Sequence, residues 1–134
     1  MIFRRKIYQK MLEWKISSGG KKALLIEGAR RIGKSTITQE FGKNEYKSFI
    51  VIDFNDISEV VEDAFNNYLN DLDTFFMLIS TEYNVNLYHR ESLIIFDEIQ
   101  RFPKARQSIK KLVSDGRYDY METGSLISIK ENVK

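Results

Sequence analysis

The chain has 134 residues, 43% of them hydrophobic, enough for one domain with a core of its own and too few for two ordinary ones. It contains no cysteine, which excludes disulfides and thiolate metal sites, and its single histidine, His89, has no neighbours at metal-ligand spacing. The net charge of +2 is too small to argue for a nucleic-acid partner.

Ile7, Tyr8, Met11, Leu12 and Trp14 recur near helical spacing, predicting an amphipathic helix over 3–16 that ends before Ser17, Ser18, Gly19 and Gly20. Arg4, Arg5, Lys6, Lys10, Lys15, Lys21 and Lys22 face only Glu13 in this stretch. A solvated helix face accounts for that bias more simply than contact with phosphate, acidic lipid or an acidic partner. The basic start MIFRRK is followed by polar residues, not by a signal-peptide core, and no apolar run approaches the ~18 residues of a membrane span. The expectation is a cytoplasmic chain without a membrane partner.

ALLIE (23–27) reads as a strand that stops at Gly28, and the helix formers from Ser35 run to about Gly42. SFIVIDF (48–54) is a near-continuous apolar run, the pattern of a strand covered on both faces, closed by Asn55 and Asp56. Helical stripes follow over 57–69 (Val60, Val61, Ala64, Phe65, Tyr68, Leu69) and 71–82 (Leu72, Phe75, Phe76, Ile79). SLIIFDE (92–98) is the clearest strand and ends in two acids, Pro103 precedes a helix over 104–114, and YDYMET (118–123) is a weaker fourth strand. Strands alternating with helices imply right-handed crossovers and an α/β, three-layer parallel sheet, with ligands at the carboxyl ends of the strands.

Two patterns meet at that edge. Residues 28–36, GARRIGKST, satisfy G-x-x-x-x-G-K-[ST] between a strand and a helix, the setting of a phosphate-binding P-loop, or Walker A motif. Gly28 and Gly33 let the backbone of Ala29, Arg30, Arg31 and Ile32 wrap tightly enough for successive N–H groups to meet phosphate, aided by the positive end of the next helix. Lys34 is expected to bridge the β- and γ-phosphates, Ser35 to offer its hydroxyl to Mg²⁺, and Thr36 to lie near the α-phosphate of ATP. Asp97 is an acid at the end of a buried apolar strand, costly unless it serves a cation or a hydrogen-bond network, and is the natural second partner of Mg²⁺. Glu98 is placed to polarise the attacking water. The plainer reading of this acidic pair is that it caps the next turn.

Thr123 and Ser125, at the tip of the last strand, are candidates to meet the γ-phosphate or the attacking water, although hydroxyls after a strand are also common turn residues. Gln100 could relay nucleotide state from the same edge or be an ordinary loop residue. Arg101, Lys104, Arg106, Lys110, Lys111 and Arg117 form a second basic region, either a solvated face or the source of an arginine finger for a neighbouring subunit.

GARRIGKST, IIFDEIQRFPKARQ and METGSLIS (121–128), in this order and after the amphipathic RRKIYQKMLEWK, resemble the prokaryotic AAA-like ATPases that carry a C-terminal domain of unknown function. The Asp-Glu-Ile-Gln and Thr-Gly-Ser combination points to this group; the Walker motifs alone mark only the superfamily. The resemblance implies Gly33, Lys34 and Ser35 for phosphate and metal, Asp97 for Mg²⁺, Glu98 as base, and Ser125 or Thr123 as the sensing polar residue. It also implies a strand order of 1-4-3-2. Members of such families continue further, so 1–134 is expected to be the N-terminal ATPase piece of a longer chain, able to bind nucleotide but hydrolyse it poorly alone.

Hydrolysis of ATP to drive conformational change in a larger protein is the leading expectation, through a further domain, an unidentified protein partner or self-association. A nucleotide-gated switch with little turnover remains an alternative. A small-molecule P-loop kinase is a weaker one, since it usually lacks an acid at the place of Glu98. A GTPase would need Asp-x-x-Gly and Asn-Lys-x-Asp motifs, and neither occurs.

Overall fold

The computed structural model describes residues 2–28 and 33–125. Helix α1 (Ile2–Ser18) leads into β1 (Leu24–Gly28), α2 (Lys34–Glu45), β2 (Ser48–Asp53), α3 (Glu59–Asn67), α4 (Leu72–Tyr83), β3 (Ser92–Asp97), a 3₁₀ turn (Ile99–Arg101), α5 (Pro103–Asp115) and β4 (Asp119–Ser125). Every expected element is present, with ends moved by a few residues.

The four strands form one parallel sheet in the order β1-β4-β3-β2, as expected. A strand buried on both faces needs apolar side chains at consecutive positions, and β3 at the centre is buried throughout. One face carries Ile50, Ile52, Ile94, Phe96 and Tyr120 against α3, α4 and α5, where Phe54, Phe65, Phe75, Phe96 and Phe102 pack edge-to-face or stacked. Such ring pairs add about 0.5–1.5 kcal/mol each beyond burial. The other face carries Leu93, Ile95 and Met121 against Met11 of α1 and Ile37 and Phe41 of α2.

Local signals set most of the ends. Ser58 caps α3 by accepting the Val61 N–H, Asp71 caps α4 by accepting the Thr74 N–H, and the left-handed Asn84 and Gly116 close α4 and α5. Gly42 does not end α2, which continues to Glu45. A Cβ there would lie 2.7 Å from Cγ of Phe49, so the glycine serves close approach of α2 to β2 and not termination. The last strand, expected to finish at 123, runs on to Ser125.

A polar clamp holds the amino ends of the strands. Asp119, buried at the start of β4, accepts the Tyr46 hydroxyl at 2.5 Å and pairs with Arg90, whose guanidinium also donates to the Gly116 carbonyl at 3.1 Å. Among the described residues no helix is long and apolar enough to cross a membrane.

Candidate nucleotide site

Strand parity assembles the site. Side chains alternate between faces along a strand. Leu93 and Ile95 face α2, so Asp97 falls on the same face at the carboxyl end of β3. In β4, Met121 faces α2 and Thr123 and Ser125 follow it there. The register puts Met121 beside Ile95, Thr123 beside Ile26 and Ser125 beside Gly28. Three polar side chains thereby share the α2 face at the carboxyl ends of β3 and β4.

A continuous set of hydrogen bonds joins these elements. Ser35, the second residue of α2, donates from Oγ to Asp97 Oδ2 at 2.9 Å. Thr123 Oγ1 donates to Asp97 Oδ1 at 2.5 Å and accepts the backbone N–H of Glu98 at 3.1 Å. A threonine hydroxyl has a single proton, and a carboxylate only accepts while an amide N–H only donates, so these two neighbours fix its direction. Gln100 donates from Nε2 to Glu98 Oε1 at 2.7 Å. Asp97 is 9% exposed and Thr123 fully buried, so the bonds at the centre lie out of bulk water, where a charge-assisted hydrogen bond is strongest.

Two backbone conformations are unusual here. Gly33, immediately before α2, has φ 73° and ψ 34°, and a Cβ added to it would meet nothing within 4 Å among the described residues. Glycine is favoured there because it adopts the left-handed torsion without the cost a side chain would add. Glu98 adopts φ 56° and ψ 50°, a region that costs a non-glycine residue about 1–2 kcal/mol. Its N–H donates to Thr123 Oγ1. Strain of this kind concentrates where geometry serves function.

Lys34, the first residue of α2, is 4% exposed, and an ammonium so buried demands anionic or hydrogen-bonding company. Ser125 Oγ is buried with no hydrogen-bond partner among the described residues, beside Gly28 where the phosphate loop begins. A buried hydroxyl left unsatisfied costs about 1–3 kcal/mol, so it suits an incoming oxygen acceptor. The donor set also fits Mg²⁺, which is usually held by one or two protein oxygens plus phosphates and water, as Ser35 and Asp97 could hold it. Among the described residues no group of three or more His, Asp or Glu could cage a metal by itself.

A family model described as an AAA domain matches residues 20–133. The chain belongs to the AAA domain family. Membership makes it a nucleotide-binding, ATPase-type core, and the matched segment includes every residue of the site while leaving α1 outside it. No curated protein and no solved structure gives a significant match to the chain.

Within this AAA domain the sequence-derived candidates divide into groups. Lys34, Ser35, Asp97, Glu98, Thr123 and Ser125 come together at the carboxyl edge of the sheet, Gly28 and Gly33 bracket the loop, and Thr36 is exposed on the first turn of α2. Ala29, Arg30, Arg31 and Ile32 lie outside the described residues, as does the 126–128 portion of METGSLIS. Thr123 and Ser125 were alike in sequence but differ in place: the Thr123 hydroxyl is committed to Asp97 and Glu98, whereas that of Ser125 is not. The sequence singles out Gln100 after the acidic pair and Thr123 at a strand tip, but nothing in it signals that Gln100 bonds to Glu98 or that Thr123 bridges Asp97 and Glu98.

The basic patches are partly accounted for. Arg4 pairs with Glu40, the Lys15 ammonium lies 4.9 Å from the centre of the Tyr46 ring, and Arg117 pairs with Asp73 and Asp115 while covering Phe76. Arg117 precedes β4 and so sits at the sheet end opposite the site. Lys104, Arg106, Lys110 and Lys111 are exposed on α5, and His89 is exposed outside any strand or helix.

Proposed function

We propose that the chain binds Mg-ATP at the carboxyl edge of the sheet and hydrolyses it to ADP and phosphate, driving conformational change in a larger protein or in a protein partner. The observation that carries this reading is the unbroken set of bonds from Ser35 through Asp97 and Thr123 to Glu98, which links the phosphate-loop helix to the acid best placed to act on water. Lys34 would bind the β- and γ-phosphates, and Ser35 and Asp97 would hold the Mg²⁺. The bound ion would neutralise charge on the phosphates.

In the reaction, Glu98 accepts a proton from a water whose oxygen bonds to the γ-phosphorus, as the bridging P–O bond breaks and its electron pair leaves with ADP. Thr123 keeps Asp97 and the Glu98 backbone in one arrangement, so the metal ligand and the base stay in register. Ser125 supplies a hydroxyl to the γ-phosphate or to the water.

Single-turnover phosphate release, measured beside ATP binding, tests the proposal. Lys34→Ala should lose ATP binding, and Glu98→Gln should bind ATP but release phosphate at least ~100-fold more slowly, the lower range for loss of a general base. Unchanged ATP affinity in the first variant would sink the P-loop assignment, and an unchanged rate in the second would remove Glu98 from the mechanism. Binding without release by the unaltered chain would favour a nucleotide-gated switch, and transfer to an acceptor a kinase.

A further inference from the structure

We propose that Gln100 is a positioning residue for the hydrolytic step, aiming the Glu98 carboxylate at the attacking water. This inference rests on the assignment of Glu98 as the base.

Residues two apart in a helical turn do not face one another, so a bond between the side chains at 98 and 100 needs an explanation. The left-handed conformation of Glu98 supplies it, because the reversal at φ 56° brings its side chain alongside the 3₁₀ turn that carries Gln100. That turn is itself firmly seated. Ile99 is fully buried, the Arg101 N–H donates to the Glu98 carbonyl at 3.0 Å, and the Phe102 N–H donates to the Ile99 carbonyl at 3.1 Å. Gln100 therefore projects from a fixed base, and Glu98 is held at both ends: Thr123 Oγ1 accepts its backbone N–H, and Gln100 Nε2 donates to its Oε1 at 2.7 Å.

A glutamate side chain otherwise turns freely about three bonds. Tethering one carboxylate oxygen restricts that rotation and leaves Oε2 as the acceptor for a water proton. Because an amide NH₂ donates to a carboxylate and takes no proton from it, Gln100 can orient the base without competing for the proton. Hydrogen-bond partners that orient metal-binding side chains change activity by about 10–100-fold when lost, and an effect toward the lower end of that range is expected for Gln100.

The test compares Gln100→Met, close in length but lacking the donor, with the unaltered chain, with Glu98→Gln and with the double variant. The expected result is a roughly 10-fold fall in kcat with KM and ATP affinity unchanged. No further fall should appear when Gln100→Met is added to Glu98→Gln. Independently of turnover, the Gln100 side-chain NH₂ resonances of the nucleotide-free chain should move on Glu98→Ala. An unchanged kcat in Gln100→Met, an equal loss in the Glu98→Gln background, a loss of ATP affinity, or unmoved resonances would each overturn the proposal. If Glu98→Gln itself hydrolyses normally, the assignment of the base fails as well. Normal kcat in Gln100→Met beside an inactive Glu98→Gln would sink the positioning role alone.

Discussion

Replacing Thr123 by valine removes one hydroxyl and almost no volume, so the consequence is set by the groups it leaves behind. Asp97 Oδ1 loses a buried charge-assisted bond, and the Glu98 N–H loses its acceptor while its residue stays in a left-handed conformation. A hydrogen bond to a charged group contributes about 1.5–3 kcal/mol and a stranded buried amide costs about 1 kcal/mol more, so Thr123→Val should destabilise by about 3 kcal/mol. For a chain of 134 residues, an unfolding entropy of about 2.1 cal/mol/K per residue converts this to a fall in Tm of about 10 °C. Thr123→Ser keeps both bonds and loses only a buried methyl, about 1 kcal/mol, or 3–4 °C. Thermal unfolding without nucleotide, followed by circular dichroism, separates the two. A valine variant as stable as the serine variant would refute the bridging role, whatever either does to hydrolysis.

The remaining predictions concern neighbouring features. Ser125→Ala should raise the stability of the nucleotide-free chain by about 1 kcal/mol, because it removes a buried hydroxyl without a described partner, and should weaken ATP binding; urea unfolding and calorimetric titration measure the two effects. Gly42→Ala should destabilise by about 1–3 kcal/mol, read by urea unfolding, since its methyl would lie 2.7 Å from Phe49 Cγ and 2.9 Å from Phe49 Cβ; an unchanged midpoint would refute the close-packing role. Burial pushes the hydroxyls of Tyr46 and Tyr120 far above their ordinary range and that of Tyr83 up to about 12, with Asp119 adding to the effect at Tyr46. A raised folded pKa means that the stability is fully present below the unfolded value of about 10 and is lost as pH rises further. Urea midpoints should therefore be equal at pH 8 and 9 and fall steeply by about pH 11, and Tyr46→Phe should lessen that slope.

Much of the fold was legible because its signals are local. The run SLIIFD can be buried on both faces only as a central strand, Gly28 and Gly33 announce a loop between strand and helix, and Pro103 opens α5. Gly42 misled because a helix-ending glycine and a close-packing glycine look the same in sequence; the difference is Phe49, which approaches from another element. The exact reach of β4 was hidden for a related reason: Thr, Gly and Ser are ordinary turn residues, and only pairing of Gly124 and Ser125 with β1 makes them strand.

By itself the sequence determined the chemistry on offer: a lysine and a hydroxyl after a glycine loop, an acidic pair after a buried strand, and hydroxyls at 123 and 125. Residue type and spacing along the chain are enough for that, because each motif lies within one loop and its flanking strand or helix. The tertiary structure decided how the pieces are connected. Parallel register and strand parity bring Ser35, Asp97 and Thr123 into contact across 62 and 26 residues of chain, and the reversal at Glu98 brings Gln100 onto its carboxylate. Those contacts depend on which strands are neighbours and which way each side chain faces, quantities set by packing of the whole sheet and carried by no single segment.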